Sequence, residues 1–159
     1  MSEVSADYRE KVAFLYHFSQ FVEWPTSAFS SPTAPLVVGV FGNNPFGDEL
    51  VREVRGQCIN GHPLVVHQMS SPPGLQNCHI LFLNPSEKKR LPQILGAVRG
   101  GPVLTVSETD HFLEAGGMIN FVHVDGRVRF EINEAAAQQA GLKISSQLLA
   151  LATRTEAGY

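Results

Sequence analysis

The sequence predicts a layered α/β sandwich: a mostly parallel central sheet, helices on both faces, and an antiparallel hairpin near the C-terminal end. Three observations carry that reading. Residues 36–41 (LVVGVF) and 78–83 (CHILFL) are continuous apolar runs, as strands buried on both faces are. Helix-like stretches alternate with the strands, which favours parallel βαβ units. Asp125-Gly126 lies between two alternating segments and signals a two-residue type I′ turn, because both central residues need φ > 0.

The first helix is expected over residues 7–24, DYREKVAFLYHFSQFVEW. Phe14, Leu15, Phe18, Phe21 and Val22 fall within about 120° of one another on a helical wheel, the stripe that packs on a core. Lys11, His17, Ser19, Gln20 and Glu23 lie mostly off that stripe. Tyr16 and Trp24 stand to its side, as a second buried flank or as contacts for a partner. Pro25 ends the helix, since the residue before a proline is driven out of the α region. A Ser/Pro/Thr/Ala loop over 26–35 leads to the strand at 36–41. Asn44 suits an N-cap and Pro45 a first helical position, for a helix through Val54.

Gly56–Gly61 turns the chain into a strand at Pro63–Gln68, and SSPPG breaks it. The strand at 78–83 is followed by a helix from Ser86 to Val98, with Pro92 as an interruption. Pro102–Val106 is the next strand and Asp110–Leu113 a helical turn. Gly116-Gly117 releases the chain into the hairpin. There the turn pairs Phe121 with Phe130, Ile119 with Ile132 and His123 with Val128 on one mostly apolar face. The other face sets Asn120, Val122 and Val124 against Glu131, Arg129 and Arg127. Asn133 caps a helix that stops at Gly141, a standard position just past a helix end. Ser145-Ser146 starts a last helix with Leu148, Leu149 and Ala152 spaced for burial, and the tail is expected to fray after Thr155.

The chain has 159 residues, enough for one domain with a real core, ordered over about 7–154. Net charge is −3 and no Lys/Arg block stands out, so electrostatics do not point to nucleic acid. No apolar run approaches the roughly 20 residues that span a bilayer. The opening MSEVSADYRE has no apolar signal core. Two cysteines, Cys58 and Cys78, leave two readings open: one disulfide, or a pair of buried thiols.

No constellation points to catalysis. Gly42 and Gly47 match the glycines of a phosphate loop, but Asp48 and Glu49 stand where Lys and Ser/Thr would bind phosphate and metal. Two carboxylates there favour the helix dipole and repel phosphate. The six histidines show no ligand spacing. Cys78 and His79 are adjacent on a strand, so their side chains point to opposite faces and form no dyad. The reading is a non-enzyme with neither cofactor nor metal.

The segment KVAFLYHFSQFVEWP resembles the K-A-A-F-L-Y-N-F-A-x-F-V-E-W-P signature of the YfiR-like family of bacterial periplasmic proteins, with His17 in place of the Asn. LVVGVFGNNPFGDEL, INGHPLVV, CHILFLNPSE and FEINEAAAQQAGLKISSQLLALA resemble the family in the same order, from about Tyr8 to Arg154. The resemblance implies an α/β sandwich that is exported to the periplasm and forms a homodimer. It implies repression of a membrane-bound diguanylate cyclase, relieved by an outer-membrane lipoprotein, with cyclic-di-GMP and biofilm formation as output. Related domains also precede membrane histidine kinases. An exported chain puts Cys58 and Cys78 in an oxidising compartment, which favours pairing or burial.

Two functions follow as expectations. The first is a regulator that engages a membrane sensor through Tyr16, His17, Glu23, Trp24, Arg127, Arg129 and Glu131. The second is a small-molecule-sensing domain whose ligand sits at the strand C-termini, among the loops after Phe41, Leu83 and Val106.

Overall fold

The computed structural model of the chain describes residues 5–156. Ser5 caps α1 (Ala6–Phe21), its hydroxyl accepting the Tyr8 amide at 3.3 Å. The helix ends three residues earlier than Trp24. Val22 and Glu23 form a short strand, β1 (Val22–Glu23), that pairs with Ile144 and Lys143. A tertiary partner thus competes with the helix before Pro25 can stop it. The buried side of α1 is also wider than the aromatic stripe, because it includes Lys11 and Ser19. The Ser19 hydroxyl is satisfied locally by the Tyr16 carbonyl.

β2 (Leu36–Phe41) is buried on both faces, as the unbroken apolar run requires. The expected helix start at Pro45 is not made. Asn44 instead closes a turn, accepting from the Phe46 amide at 2.9 Å and donating to the Gly47 carbonyl at 3.2 Å. That turn sinks Phe46 against Phe82, with ring centroids 4.9 Å apart, and delays α2 (Glu49–Val54). β3 (Cys58–Ile59) and β4 (His62–Met69) make a small antiparallel pair at the sheet edge. β5 (Ile80–Leu83) follows. The helix expected over 86–98 is split: a 3₁₀ stretch Pro85–Arg90 with non-helical dihedrals at Glu87, then α3 (Leu91–Val98) with Pro92 in its first turn.

β6 (Leu104–Ser107) precedes the hairpin β7 (Ile119–Val124) and β8 (Arg127–Asn133). Its register is the one the turn dictates, with Ile119 opposite Ile132, Phe121 opposite Phe130 and His123 opposite Val128. Asp125 and Gly126 have φ of 53° and 75°, as a type I′ turn demands. Asn133 caps α4 (Glu134–Gln139) through the Ala136 amide, and Gly141 follows at φ 81°. β9 (Lys143–Ile144) meets β1, and Ser145 caps α5 (Ser146–Leu151). β10 (Arg154–Glu156) runs parallel to β8; of the tail expected to fray after Thr155, Glu156 belongs to this strand and residues 157–159 lie outside the described residues.

The eight-stranded sheet has the order β10-β8-β7-β6-β5-β2-β4-β3, parallel from β4 through β7. The chain leaves β2 toward β4 and returns to β5 on the other side, so the order reverses between β2 and β5. One face of the sheet packs against α1, α2, α4 and α5 around Phe18, Phe82 and Phe130. The opposite face packs against α3 around Phe41, Leu81, Ile94 and Phe112. α3 packs over β5, and among the described residues it leaves the far half of the hairpin uncovered on that side, where Val122 and Arg129 are half-buried and Val124 and Arg127 exposed.

Candidate functional site

The crevice where the strand order reverses is the usual ligand position in such a sheet. Here the two loops at that position interlock. Asn84 donates its side-chain amide to the Asn43 carbonyl at 2.9 Å and its backbone N–H to the Phe41 carbonyl at 3.1 Å. A Cβ on Gly42 would stand 2.7 Å from Glu87 Cγ, and φ of 91° already favours glycine there. The loop after β6 is tied down as well. Glu108 pairs with buried Lys11 and accepts the Tyr8 hydroxyl at 2.8 Å. Burial and that carboxylate push the Tyr8 phenol up to about 12.

Two clefts open at the opposite end of the sheet. One, of about 370 Å³, lies between the end of α3 and α4 and includes Arg99, Thr105, Glu114 and Gln139. The other, of about 620 Å³, has Val22, Leu36 and Ile59 as apolar walls, with Glu23, Trp24, Phe29 and His62 around them. The sequence pointed to the strand C-termini; these two clefts open at the N-terminal ends, the second against the Pro/Ser-rich segment 25–35.

The second cleft is built from aromatic rings. Phe29 is sandwiched between His62, at 3.6 Å and 15°, and His79, at 4.4 Å and 12°. His79 is buried, and its Nδ1 accepts the Val37 amide at 3.0 Å while Nε2 donates to the Ala28 carbonyl at 2.8 Å. Those partners require the neutral ring with its proton on Nε2. Burial lowers the His79 pKa from the ordinary imidazole value; the hydrogen bond to Ala28 works against that shift and His62 adds to it. His62 donates from Nδ1 to the Ala34 carbonyl at 2.7 Å. Trp24 donates its indole N–H to the His79 carbonyl at 3.1 Å.

The residues singled out from sequence fall in three places and form no single site. Glu23 and Trp24 line the larger cleft. Tyr16 is half-buried and bonded to Gln57 at 3.0 Å, and His17 is exposed beside Gln20 at 3.3 Å. Arg127, Arg129 and Glu131 share the outer hairpin face, with Glu131 drawn to Arg154 at 3.6 Å. Asn120, expected beside them, is buried: it accepts from the Thr109 amide at 3.0 Å and donates to the Thr109 carbonyl at 2.9 Å. His123 shares the apolar face by register, yet half its side chain is exposed at the hairpin tip, where it meets Asp7 at 2.9 Å. His62 and His79 lie in two of the family-resembling segments and Phe29 in none, and only the fold brings the three together.

Cys58 and Cys78 are both free, so neither the disulfide nor the buried thiol pair is formed as such. Cys58 is exposed on an edge strand. Cys78 packs against Met69 at 3.2 Å on the face opposite His79, and burial raises its pKa to about 11. Among the described residues, no group of three or more His, Cys, Asp or Glu is placed to hold a metal ion. No described helix is long and apolar enough to cross a membrane.

The YfiR/HmsC-like family model matches residues 8–153. The chain belongs to the YfiR/HmsC-like family. This family is one of periplasmic regulators linked to cyclic-di-GMP signalling, known for regulation rather than catalysis. The fold is similar to the crystal structure of a conserved domain protein from Vibrio cholerae O1 biovar eltor, with a TM-score of 0.57 and 14% identity. The match covers 94% of this chain and 60% of that one, so this chain spans about three-fifths of that protein's length. At that identity the likeness speaks for the fold alone.

Proposed function

We propose that this YfiR/HmsC-like protein is a non-catalytic periplasmic regulator. It binds the periplasmic part of a membrane signalling enzyme, a diguanylate cyclase above all, and represses it. Repression lowers cyclic-di-GMP and with it biofilm formation. It acts as a homodimer, and an outer-membrane lipoprotein relieves it by sequestration. The observation that carries the reading is family membership across residues 8–153.

The uncovered hairpin face supplies a contact surface of suitable chemistry. Val124 and Arg127 are exposed, with half-buried Val122 and Arg129 behind them. An apolar strip edged by arginines suits an acidic, partly apolar patch on a partner. The test is binding of this chain to the periplasmic part of a membrane cyclase encoded beside it, together with cyclic-di-GMP in a deletion strain. The expected results are binding that weakens at least about tenfold in Arg127→Glu/Arg129→Glu, and raised cyclic-di-GMP on deletion. Absent binding with unchanged cyclic-di-GMP overturns the reading.

The cleft of about 620 Å³ favours a second reading, a small-molecule-sensing domain that feeds a histidine kinase, because its size and aromatic walls fit a small ligand. Melting-temperature shifts across a metabolite panel separate the two readings.

A further inference from the structure

We propose that residues 25–35 form an acid-released strap: at neutral pH Phe29 is clamped between His62 and His79 and closes one wall of the cleft, and protonation of His79 undoes the clamp.

The clamp depends on the neutral ring. His79 uses Nε2–H on the Ala28 carbonyl of the strap and Nδ1 as acceptor for the Val37 amide, so Nδ1 is the atom left to take a proton from solvent. Once protonated, Nδ1–H and the Val37 N–H face each other across 3.0 Å, two donors with no acceptor between them. The ring must turn. Turning it breaks the bond to Ala28 and the near-parallel stack on Phe29 together, because both depend on one ring plane.

Few other charges bear on the site. The strap, PTSAFSSPTAP, carries no acid or base, and neither do β2 or residues 102–106. His62 faces the other side of Phe29, and Glu23 is the remaining titratable side chain in the cleft lining. Attraction of an imidazolium to the Phe29 face opposes release. The Ala28 hydrogen bond, which favours the charged ring, opposes it too; the two N–H groups left facing each other at Nδ1 and Val37 in a buried site, with the electrostatic effect of His62, drive it. The lowered pKa of His79 sets the event below the ordinary imidazole value of about 6.5. The device is independent of which partner or ligand the chain serves.

Trp24 is the only tryptophan and bonds to the His79 backbone, so its emission reports on this site. The experiment is an emission titration from about pH 7.5 to about pH 4.5, with far-UV circular dichroism and hydrogen exchange followed in parallel. The expected result is an emission change with midpoint below about 6.5, constant ellipticity, and about tenfold faster exchange over residues 28–37 after correction for intrinsic rates. His79→Gln abolishes the transition. His62→Gln keeps it and moves the midpoint upward, because a neighbouring like charge is gone. Flat wild-type emission, a transition that tracks loss of ellipticity, or an unmoved midpoint in His62→Gln each overturns the proposal. So does an unaltered transition in a folded His79→Gln.

Discussion

Lys11 on α1 and Glu108 after β6 form an ion pair almost out of solvent, their side chains 3% and 13% exposed. The Tyr8 hydroxyl takes the second carboxylate oxygen, and the Lys11 ammonium also lies 4.4 Å from the Tyr8 ring centre. The pair ties α1 to the sheet and helps close the end of it where ligands usually enter.

Removing one partner leaves the other charge buried. Lys11→Met is expected to destabilise the chain by about 3 kcal/mol, while Lys11→Met/Glu108→Leu recovers most of that loss. Urea unfolding of both variants checks it: a double variant no more stable than the single one refutes the claim that the unpaired charge is what costs stability.

Gly39 lies in the middle of β2, and a Cβ there would stand 2.5 Å from Cys78 Sγ and 3.1 Å from Met69 Sδ. Gly39→Ala is expected to lower stability by about 1–3 kcal/mol through overpacking. Cys78→Ala in the same chain makes room and restores part of it, so the two changes are non-additive in a double-mutant cycle. Additive thermal shifts would place the strain elsewhere.

The two thiols are expected to react at very different rates. Near pH 8, Cys58 reacts with a disulfide reagent at once, while Cys78 reacts only as the chain unfolds. A thiol count of one in native buffer and two in denaturant is the check. Because burial raises the Cys78 pKa to about 11, the folded state holds its proton more tightly than the unfolded chain does. Its contribution to stability is complete below the ordinary thiol value and is lost as pH rises through about 11.

The two ends of the outer hairpin face respond differently to substitution. Asn120→Ala leaves the Thr109 amide and carbonyl without their partner in a buried site, at a cost of about 2 kcal/mol. Arg127→Glu stays within about 0.5 kcal/mol of wild type, since its side chain is exposed. Calorimetry on the pair tests this, and an Arg127 variant as unstable as the Asn120 one contradicts the exposed-face assignment.

Several elements follow from local chemistry alone. The type I′ turn at Asp125-Gly126 set every pairing between β7 and β8, because two residues with positive φ admit one register. The continuous apolar runs marked β2 and β5 as strands covered on both sides, since such a strand has no polar face to keep. Asn133, Gly141 and Ser145 marked helix ends through side-chain or glycine caps that need only near neighbours.

Other features depend on partners distant in the chain. Val22 and Glu23 left the first helix for Ile144 and Lys143, and β10 ordered itself on β8. Asn120 was buried on the outer hairpin face because Thr109 offered both halves of a backbone pair there, and Lys11 was buried because Glu108 met it. His123 remained at the surface because the sandwich ends before the hairpin tip. The stack of His62, Phe29 and His79 joins a strand, a loop and the residue before another strand. No periodicity links them, so only the closed fold brings three ordinary side chains to one side of a cleft.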